Sequence, residues 1–598
     1  MSAHHRIAVA SDLGVLATLR RGLALSPEMI TGIWVTLLLA VLAAAGRVVV
    51  PVTVQQAVDT GILADGGPDA ARVTTLVLVA AVMIVLAGTC TALVNVRLFR
   101  STETGLANLR TRAFRHVHDL SMLTQGTERR GALVSRVTSD VDTISFFVQW
   151  GGIMLLVSVL QVGVATVLMA VYSWQLAIVV WLVFVPLFFV LRPAQKRVNR
   201  AYGAQRERVG AMLGAISESV VGAETIRAYG AQRRTARRVD VAVERTRRAM
   251  VRAQALVSVV FSSGVLVANL VLAVVVVVGT YLGIAGEITV GQLLAFLFLV
   301  QLFTGPVQMA TEILNELQNA VAGWRRVIAI IDTPVSVVDA GERGVPSPRG
   351  PAHVELDGVR FAYPDGPEVL HGVDLDLPAR ASVAVVGRTG SGKTTIAKLV
   401  TRLMDPTAGR VLLDGTDVRD VSLARLRERV VLVPQEGFLF DGTLLDNMVY
   451  GLPPGFDGDA RAAAVDAVDV LGLTDWVAGL ARGLDSSVGQ RGEGLSAGER
   501  QLVALVRAYL AGGDLLVLDE ATSAVDPATE VRIARALDSL TAGRTTITIA
   551  HRMSTAEAAD VVVVVDEGHV VETGPHDELV AAGGVYAQMH DSWVAQTR

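Results

Sequence analysis

Nine consecutive residues carry the clearest chemistry in the chain: Gly387, Arg388, Thr389, Gly390, Ser391, Gly392, Lys393, Thr394 and Thr395, within "VAVVGRTGSGKTT". A β-branched run precedes them and a helical pattern follows. In that setting, Gly-x-x-x-x-Gly-Lys-Thr reads as a phosphate-binding loop. The glycines let backbone N–H groups converge on phosphate oxygens, Lys393 reaches the β and γ phosphates of a nucleotide, and the Thr394 hydroxyl suits Mg²⁺. Downstream, "LLVLDEATSAVD" reads as a buried strand that ends in Asp519 and Glu520. A carboxylate at a strand end beside a phosphate loop can act on Mg²⁺ or its water, and an adjacent second one can polarise the attacking water. A strand leading into a helix cap would also place Asp there. The phosphate loop upstream favours the phosphate chemistry. Between these motifs lies "GEGLSAGERQL", where Ser496 opens a helical pattern. It either caps that helix or presents free N–H groups and a positive dipole end to a phosphate.

These motifs need a rigid scaffold, and the sequence changes character to supply one. From about residue 352 to 598, short β-branched runs ("HVELDGVRFAY", "ASVAVVG", "TTITIAH", "VVVVVDEG") alternate with helical stretches. That alternation predicts an α/β domain with a buried sheet. Residues 332–351, rich in Pro and Gly, read as a linker. Residues 1–331 are different. The whole chain of 598 residues is 52% hydrophobic and only 18% charged, against about 25% charged in soluble domains. Six apolar runs, near 29–52, 73–96, 147–171, 174–191, 253–282 and 290–311, are long enough to cross a bilayer as helices. This predicts an all-α membrane domain. The second and fourth connections are rich in Arg, and the short first, third and fifth carry only Arg72 as a basic residue. Basic loops stay in the cytoplasm, so both termini and both long loops are expected there, with the protein multi-pass in the cytoplasmic (inner) membrane. The Arg runs alternate with spans, which explains them better than nucleic-acid binding, and no nucleic-acid partner is expected. Both long loops show helical periodicity. A half-loop of about 25 residues projects roughly 40 Å, a stalk able to reach the cytoplasmic domain. The lone Cys90 forms no internal disulfide. No removable signal peptide is evident at the start.

Taken together and in order, these motifs resemble the ATP-binding cassette (ABC) transporters of exporter type, with membrane and nucleotide domains fused as a half-transporter. The resemblance implies roles for particular residues. Tyr363, in "VRFAYPDG", matches the aromatic that stacks on adenine, and 387–395 match the ATP-binding loop. Gln435, in "VLVPQEGFLFDGT", matches the glutamine that contacts Mg²⁺, together with Thr394 and Asp519. Glu520 matches the catalytic base and His551 the switch histidine on the γ-phosphate. Asp526 matches the loop that crosses to the partner. Ser496, Ala497, Gly498 and Glu499 match the signature motif, usually Leu-Ser-Gly-Gly-Gln, which covers ATP held by the other subunit. Ala497 and Glu499 depart from that pattern. "PVTVQQAVDTGIL" also resembles the exporters.

The resemblance implies a dimer. A phosphate loop on one chain needs a signature from another, ATP clamps the two nucleotide domains, and stalk ends near 116–122 and 217–229 pass the motion to the spans. The retained Glu520 and His551 beside an altered signature lean toward a heterodimer with a second half-transporter, with a homodimer as the alternative. Few charges lie within the spans. Arg47 either anchors at an interface or faces a substrate cavity. Gln55, Gln161, Asn269, Gln301 and Gln308 either line a path or bond neighbouring helices. A mainly apolar path suits a small lipophilic or amphipathic substrate and contact with membrane lipid. An importer, or an ATP-gated regulator on the same fold, stays open at this point.

Overall fold

The computed structural model describes residues 7–597 apart from 9, 65–66, 127–129, 365, 436, 520–525 and 551. The chain divides into two compact units. One comprises Val9–Phe114 and Leu133–Ile331; the other comprises Met1–Ala8, Arg115–Ala132 and Asp332–Arg598.

The first unit is helical. Ile33–Ile62, Ala70–Asp119, Gly131–Tyr172 and Gln232–Ile284 are long and apolar enough to cross a membrane, and shorter apolar helical segments occupy Trp174–Pro186 and Val290–Pro306. Several helices run far past their apolar windows: Trp174–Val221 spans 48 residues and Gln232–Ile284 spans 53. The apolar stretch holds the lipid-facing part, while the Arg-rich continuation keeps helical periodicity in water. Leu78, Val82, Val85 and Leu266 point outward, as lipid-facing side chains must. The inner seam packs Met169, Phe184, Val275 and Phe296, with the rings of Trp181 and Phe184 at 5.1 and 4.9 Å from that of Phe303.

The first apolar run is not one smooth helix. It divides into Ile33–Gly46 and Val49–Ala57, with Arg47 and Val48 between them, and then passes into a π-helical turn, Val58–Ile62. Asp59 in that turn accepts hydrogen bonds from the Gly291 backbone N–H (2.9 Å), the Thr289 hydroxyl (2.5 Å) and the Gln55 amide (2.9 Å). One carboxylate thus ties the end of the first span to the start of the sixth. Gly291 is required there, because a Cβ would sit 2.6 Å from the Asp59 carboxylate. At the opposite end, Arg326 forms a two-pronged pair with Asp140 at 2.7 and 2.6 Å.

The second unit holds two sheets among its described residues. The strands, in chain order, are β1 (Val354–Ala362), β2 (Glu368–Leu377), β3 (Ser382–Val386), β4 (Ala408–Leu413), β5 (Thr416–Asp417), β6 (Val430–Val433), β7 (Leu515–Asp519), β8 (Thr545–Ile549), β9 (Val561–Asp566) and β10 (His569–Gly574). The first sheet has the order β2-β1-β4-β5 and the second β10-β9-β3-β8-β7-β6. Within the second, β9, β3, β8, β7 and β6 are mutually parallel. Parallel strands buried on both faces must be apolar throughout, which explains "SVAVV", "LLVLD" and "VVVVVD".

Residues 332–351, expected as a linker, are fastened down. Buried Arg402 donates to Val338 O (2.7 Å), buried Arg429 donates to Ser347 Oγ (3.0 Å) and Gly350 O (3.1 Å), and Asp339 accepts from the Leu423 N–H (2.8 Å). The tip Arg115–Ala132 of the first long loop, expected within the membrane domain, packs with this unit. His116 Nε2 lies 2.8 Å from Thr333 O, Ser121 Oγ lies 2.7 Å from Ser336 Oγ, and Leu123 rests on the sheet core.

Candidate functional site

Parallel strands bring their carboxyl ends to one edge, where ligands of open α/β sheets bind. The register does this here. Val385 pairs with Ile549, Ile549 with Asp519, and Leu518 with Val433. Gly387, Asp519 and Gln435 therefore share one rim, although β3, β7 and β6 lie far apart in sequence.

The loop after β3 depends on glycine. Gly387 has φ 151° and a Cβ there would come within 2.1 Å of Val565 O; Gly392 has φ 110° and would press on Leu370. No other residue type fits these two turns without shifting backbone. Lys393 is buried and curls back, donating to Gly387 O and Arg388 O at 2.8 Å each. Burial pushes its pKa down, partly offset by the Asp519 charge. Among the described residues, Ser391 Oγ is buried with no hydrogen-bond partner. A buried orphan hydroxyl is costly, and the buried Lys393 amine donates to two neutral carbonyls. This donor set fits a triphosphate. Thr394 and Thr395 open the helix Lys393–Val400. The Tyr363 hydroxyl lies 3.1 Å from Thr395 Oγ1, and its ring packs edge-on against Phe361, which lays the tyrosine against the loop's helix. Gln435 is exposed just past β6. Glu520 and His551 lie outside the described residues.

Ser496 caps the helix Ala497–Ala511 in a reciprocal box. Its Oγ accepts from the Glu499 N–H (3.3 Å), and Glu499 Oε2 accepts from the Ser496 N–H (2.8 Å). The second oxygen of Glu499, Oε1, accepts from Trp476 Nε1 at 3.0 Å. Burial raises the Glu499 pKa, but the hydrogen bonds from the Ser496 backbone, Trp476 and the Ser496 side chain outweigh it and hold the group below its usual value. Ser496 and Ala497 are exposed and Gly498 is buried. Ala497 is the first helical residue, where a methyl group is tolerated. Asp526 caps the helix Pro527–Thr541 through the Thr529 N–H at 3.0 Å.

Comparison with known proteins decides the family. Residues 33–307 match the ABC transporter transmembrane region, and residues 370–523 match the ABC transporter model. The chain is 32% identical to an ATP-dependent lipid A-core flippase of Syntrophus aciditrophicus, over 81% of its own length and 80% of the relative's. This chain belongs to the ABC transporter family. It is also 35% identical to a fatty acid ABC transporter ATP-binding/permease protein of Mycobacterium bovis, over 81% of its own length and 76% of the relative's. A solved bacterial Atm1-family ABC exporter with ATP bound superposes with a TM-score of 0.79 at 28% identity, covering 96% of this chain and 99% of that one. The transporter is thus a multi-pass membrane exporter that binds and hydrolyses ATP, and the fold class expected from the sequence, a six-helix membrane part followed by an α/β nucleotide-binding part, is that of this family.

The membrane unit of the transporter contains a cleft of about 720 Å³. Apolar and aromatic residues line it, among them Phe99, Phe146, Trp150 and Val157, together with Arg47 and Arg100. Arg47 donates to Gln161 Oε1 at 2.7 Å, and Gln161 Nε2 donates to Leu302 O at 2.6 Å. Gln161 therefore bonds a neighbouring helix, Gln55 bonds Asp59, and the Gln308 side chain lies outside the described residues. Sequence reasoning missed Trp476, Arg402, Arg429 and Arg100. Trp476 is 23 residues from Glu499, and no local pattern joins them.

Proposed function

We propose that the transporter exports a lipophilic or amphipathic compound with an anionic head, using ATP bound between two chains. The cleft carries the substrate reading: Arg47 and Arg100 line it among aromatic and aliphatic side chains, which suits a carboxylate or phosphate on an apolar body. The names of the flippase and fatty-acid relatives support the same class.

On this reading Lys393 leaves its two loop carbonyls for the β and γ phosphates, and the backbone of 387–392 cradles them while Tyr363 stacks on the adenine. Thr394, Gln435 and Asp519 would hold Mg²⁺, which would neutralise phosphate charge. Glu520 takes the proton of the attacking water, and His551 contacts the γ-phosphate. Ser496, Ala497, Gly498 and Glu499 cover the partner's ATP, and Asp526 lies on the crossing loop. A dimer is further supported by the tip of the second long loop, where Val220, Val221 and Tyr229 stand 70%, 85% and 83% exposed, an apolar end suited to the partner chain. The Ala497 and Glu499 departures favour a partner of different sequence. The Arg-rich long loops support a cytoplasmic-membrane protein with both termini inside.

Two experiments test this. In proteoliposomes, Arg47→Ala together with Arg100→Ala is expected to raise the half-saturating concentration of a fatty-acyl or phospholipid analogue at least about 10-fold, with an uncharged analogue unaffected; equal effects on both would refute the anionic head. Copurification from the native membrane is expected to bring a second half-transporter in equal amount, and recovery of this chain alone would refute the heterodimer.

A further inference from the structure

Away from the ATP rim, three side chains from separate elements converge. Glu557 ends the helix Met553–Glu557, His576 opens the helix His576–Ala581, and His590 sits within the helix Val585–Thr597. Each offers one ligand atom, and the three atoms lie within 4.8 Å of one another. The rings of His576 and His590 are 5.6 Å apart.

The surroundings suit a cation. His576 Nδ1 lies 2.7 Å from the hydroxyl of Tyr586, which is fully buried. With Nδ1 engaged, Nε2 is the nitrogen left to offer, and a metal-ligating histidine commonly has its other nitrogen held in this way. Among the described residues, His590 Nδ1 is buried with no hydrogen-bond partner; the Asp591 carboxylate, at 3.8 Å, is too far to supply one. A buried ring nitrogen without a partner costs stability unless something coordinates it.

We infer that Glu557, His576 and His590 form a site for a divalent transition metal, Zn²⁺ above all, with a fourth position left for water. Two imidazoles and a carboxylate match borderline cations and exclude neither Ni²⁺ nor Co²⁺. Ligands at about 2.0–2.1 Å in a tetrahedron stand roughly 3.3 Å apart, so the three groups, all within 4.8 Å of one another, need to close by at most roughly 1.5 Å. Glu557 is exposed and its side chain can swing inward. The consequence is mechanical. Glu557 lies six positions after His551 in the chain, on the first helix beyond β8, whereas His590 lies on the C-terminal helix. A bound ion would staple that helix to the segment leaving the ATP rim.

The test uses the full-length protein in nanodiscs, stripped with a chelator and titrated with ZnCl₂ against a chromophoric competitor. One Zn²⁺ per chain and a rise in melting temperature are expected. Glu557→Gln, an exposed change that leaves the fold intact, and His590→Ala are each expected to weaken binding at least about 10-fold, and Tyr586→Phe about 10-fold through its support of His576. X-ray absorption is expected to report two imidazole nitrogens and a carboxylate oxygen around the metal. Zinc binding that survives both Glu557→Gln and His590→Ala unchanged, or absorption lacking imidazole scattering, would overturn the assignment, as would no saturable binding to the unaltered protein.

Discussion

Replacing Glu499 by Gln restores the usual signature residue, and its consequences can be worked out for both the fold and the ATP site. Each carboxylate oxygen now takes one donor: Oε2 the Ser496 N–H and Oε1 the Trp476 indole N–H. Glutamine has a single acceptor oxygen, so one donor loses its partner. Trp476 is only 5% exposed, and an unpaired buried donor costs about 1–3 kcal/mol. The variant should therefore melt lower. The same change removes one negative charge from the first turn of the signature helix. At ~10 Å from a phosphate charge, that is about 0.4 kcal/mol in water-like screening and up to ~1.7 kcal/mol at an effective dielectric constant of ~20. ATP-driven closure should tighten, by about 2-fold at the low end. The assay is fluorescence energy transfer between labelled nucleotide domains, titrated with a non-hydrolysable ATP analogue, beside a melting curve of the same sample. A parent-like melting temperature refutes the double-acceptor argument. A half-saturating nucleotide concentration that is unchanged or higher refutes the charge argument. The sign with pH also follows. Because Glu499 is held below its usual pKa, its contribution to stability is full above the unfolded carboxylate value and is lost as pH falls through the lower folded value. Glu499→Gln should therefore close part of the gap between pH 7 and acid stability.

Three further outcomes are expected. Lys393→Ala removes the one buried amine of the phosphate loop and should lower ATPase turnover at least about 100-fold, with the melting temperature within about 2 °C of the parent, since only two carbonyl bonds are lost. Asp140→Asn halves a two-pronged pair whose carboxylate is 10% exposed and whose Arg326 is 36% exposed. The cost should be about 1–2 kcal/mol, visible as a lower melting temperature of the full-length protein. Asp59→Ala leaves the Gly291 N–H and Thr289 hydroxyl without their acceptor and should lower melting by an amount equivalent to about 1–2 kcal/mol; Asp59→Asn should recover part of it.

Much of the molecule is legible before folding because its signals are local. The phosphate loop is contiguous, and its glycines, Lys393 and Thr394 need only the strand before them and the helix after. The apolar spans announce themselves by length, and the Arg-rich connections by charge. The buried parallel strands read as unbroken β-branched runs. Other features are invisible locally. Length and hydropathy make 29–52 read as one span, although Gly46 and Pro51, which has no N–H to give to the Arg47 carbonyl, mark the break at Arg47 and Val48; the tertiary bond from Arg47 to Gln161 at that point has no local signal. Residues 332–351 look like a free linker by composition, yet Arg402 and Arg429, more than fifty positions away, hold them.

Composition and motif order alone, then, determined that this chain crosses a membrane and carries a phosphate-binding domain, because hydrophobic length and contiguous spacing act over a few residues. Tertiary structure alone decided what Glu499 does. From its letter it was a departure beside an exposed Ser496. In the fold it is an acceptor shared between a helix cap and a buried indole, and only packing can bring Trp476 to it. The same holds for Glu557, His576 and His590: three unremarkable letters in sequence, they converge because three separate elements pack together.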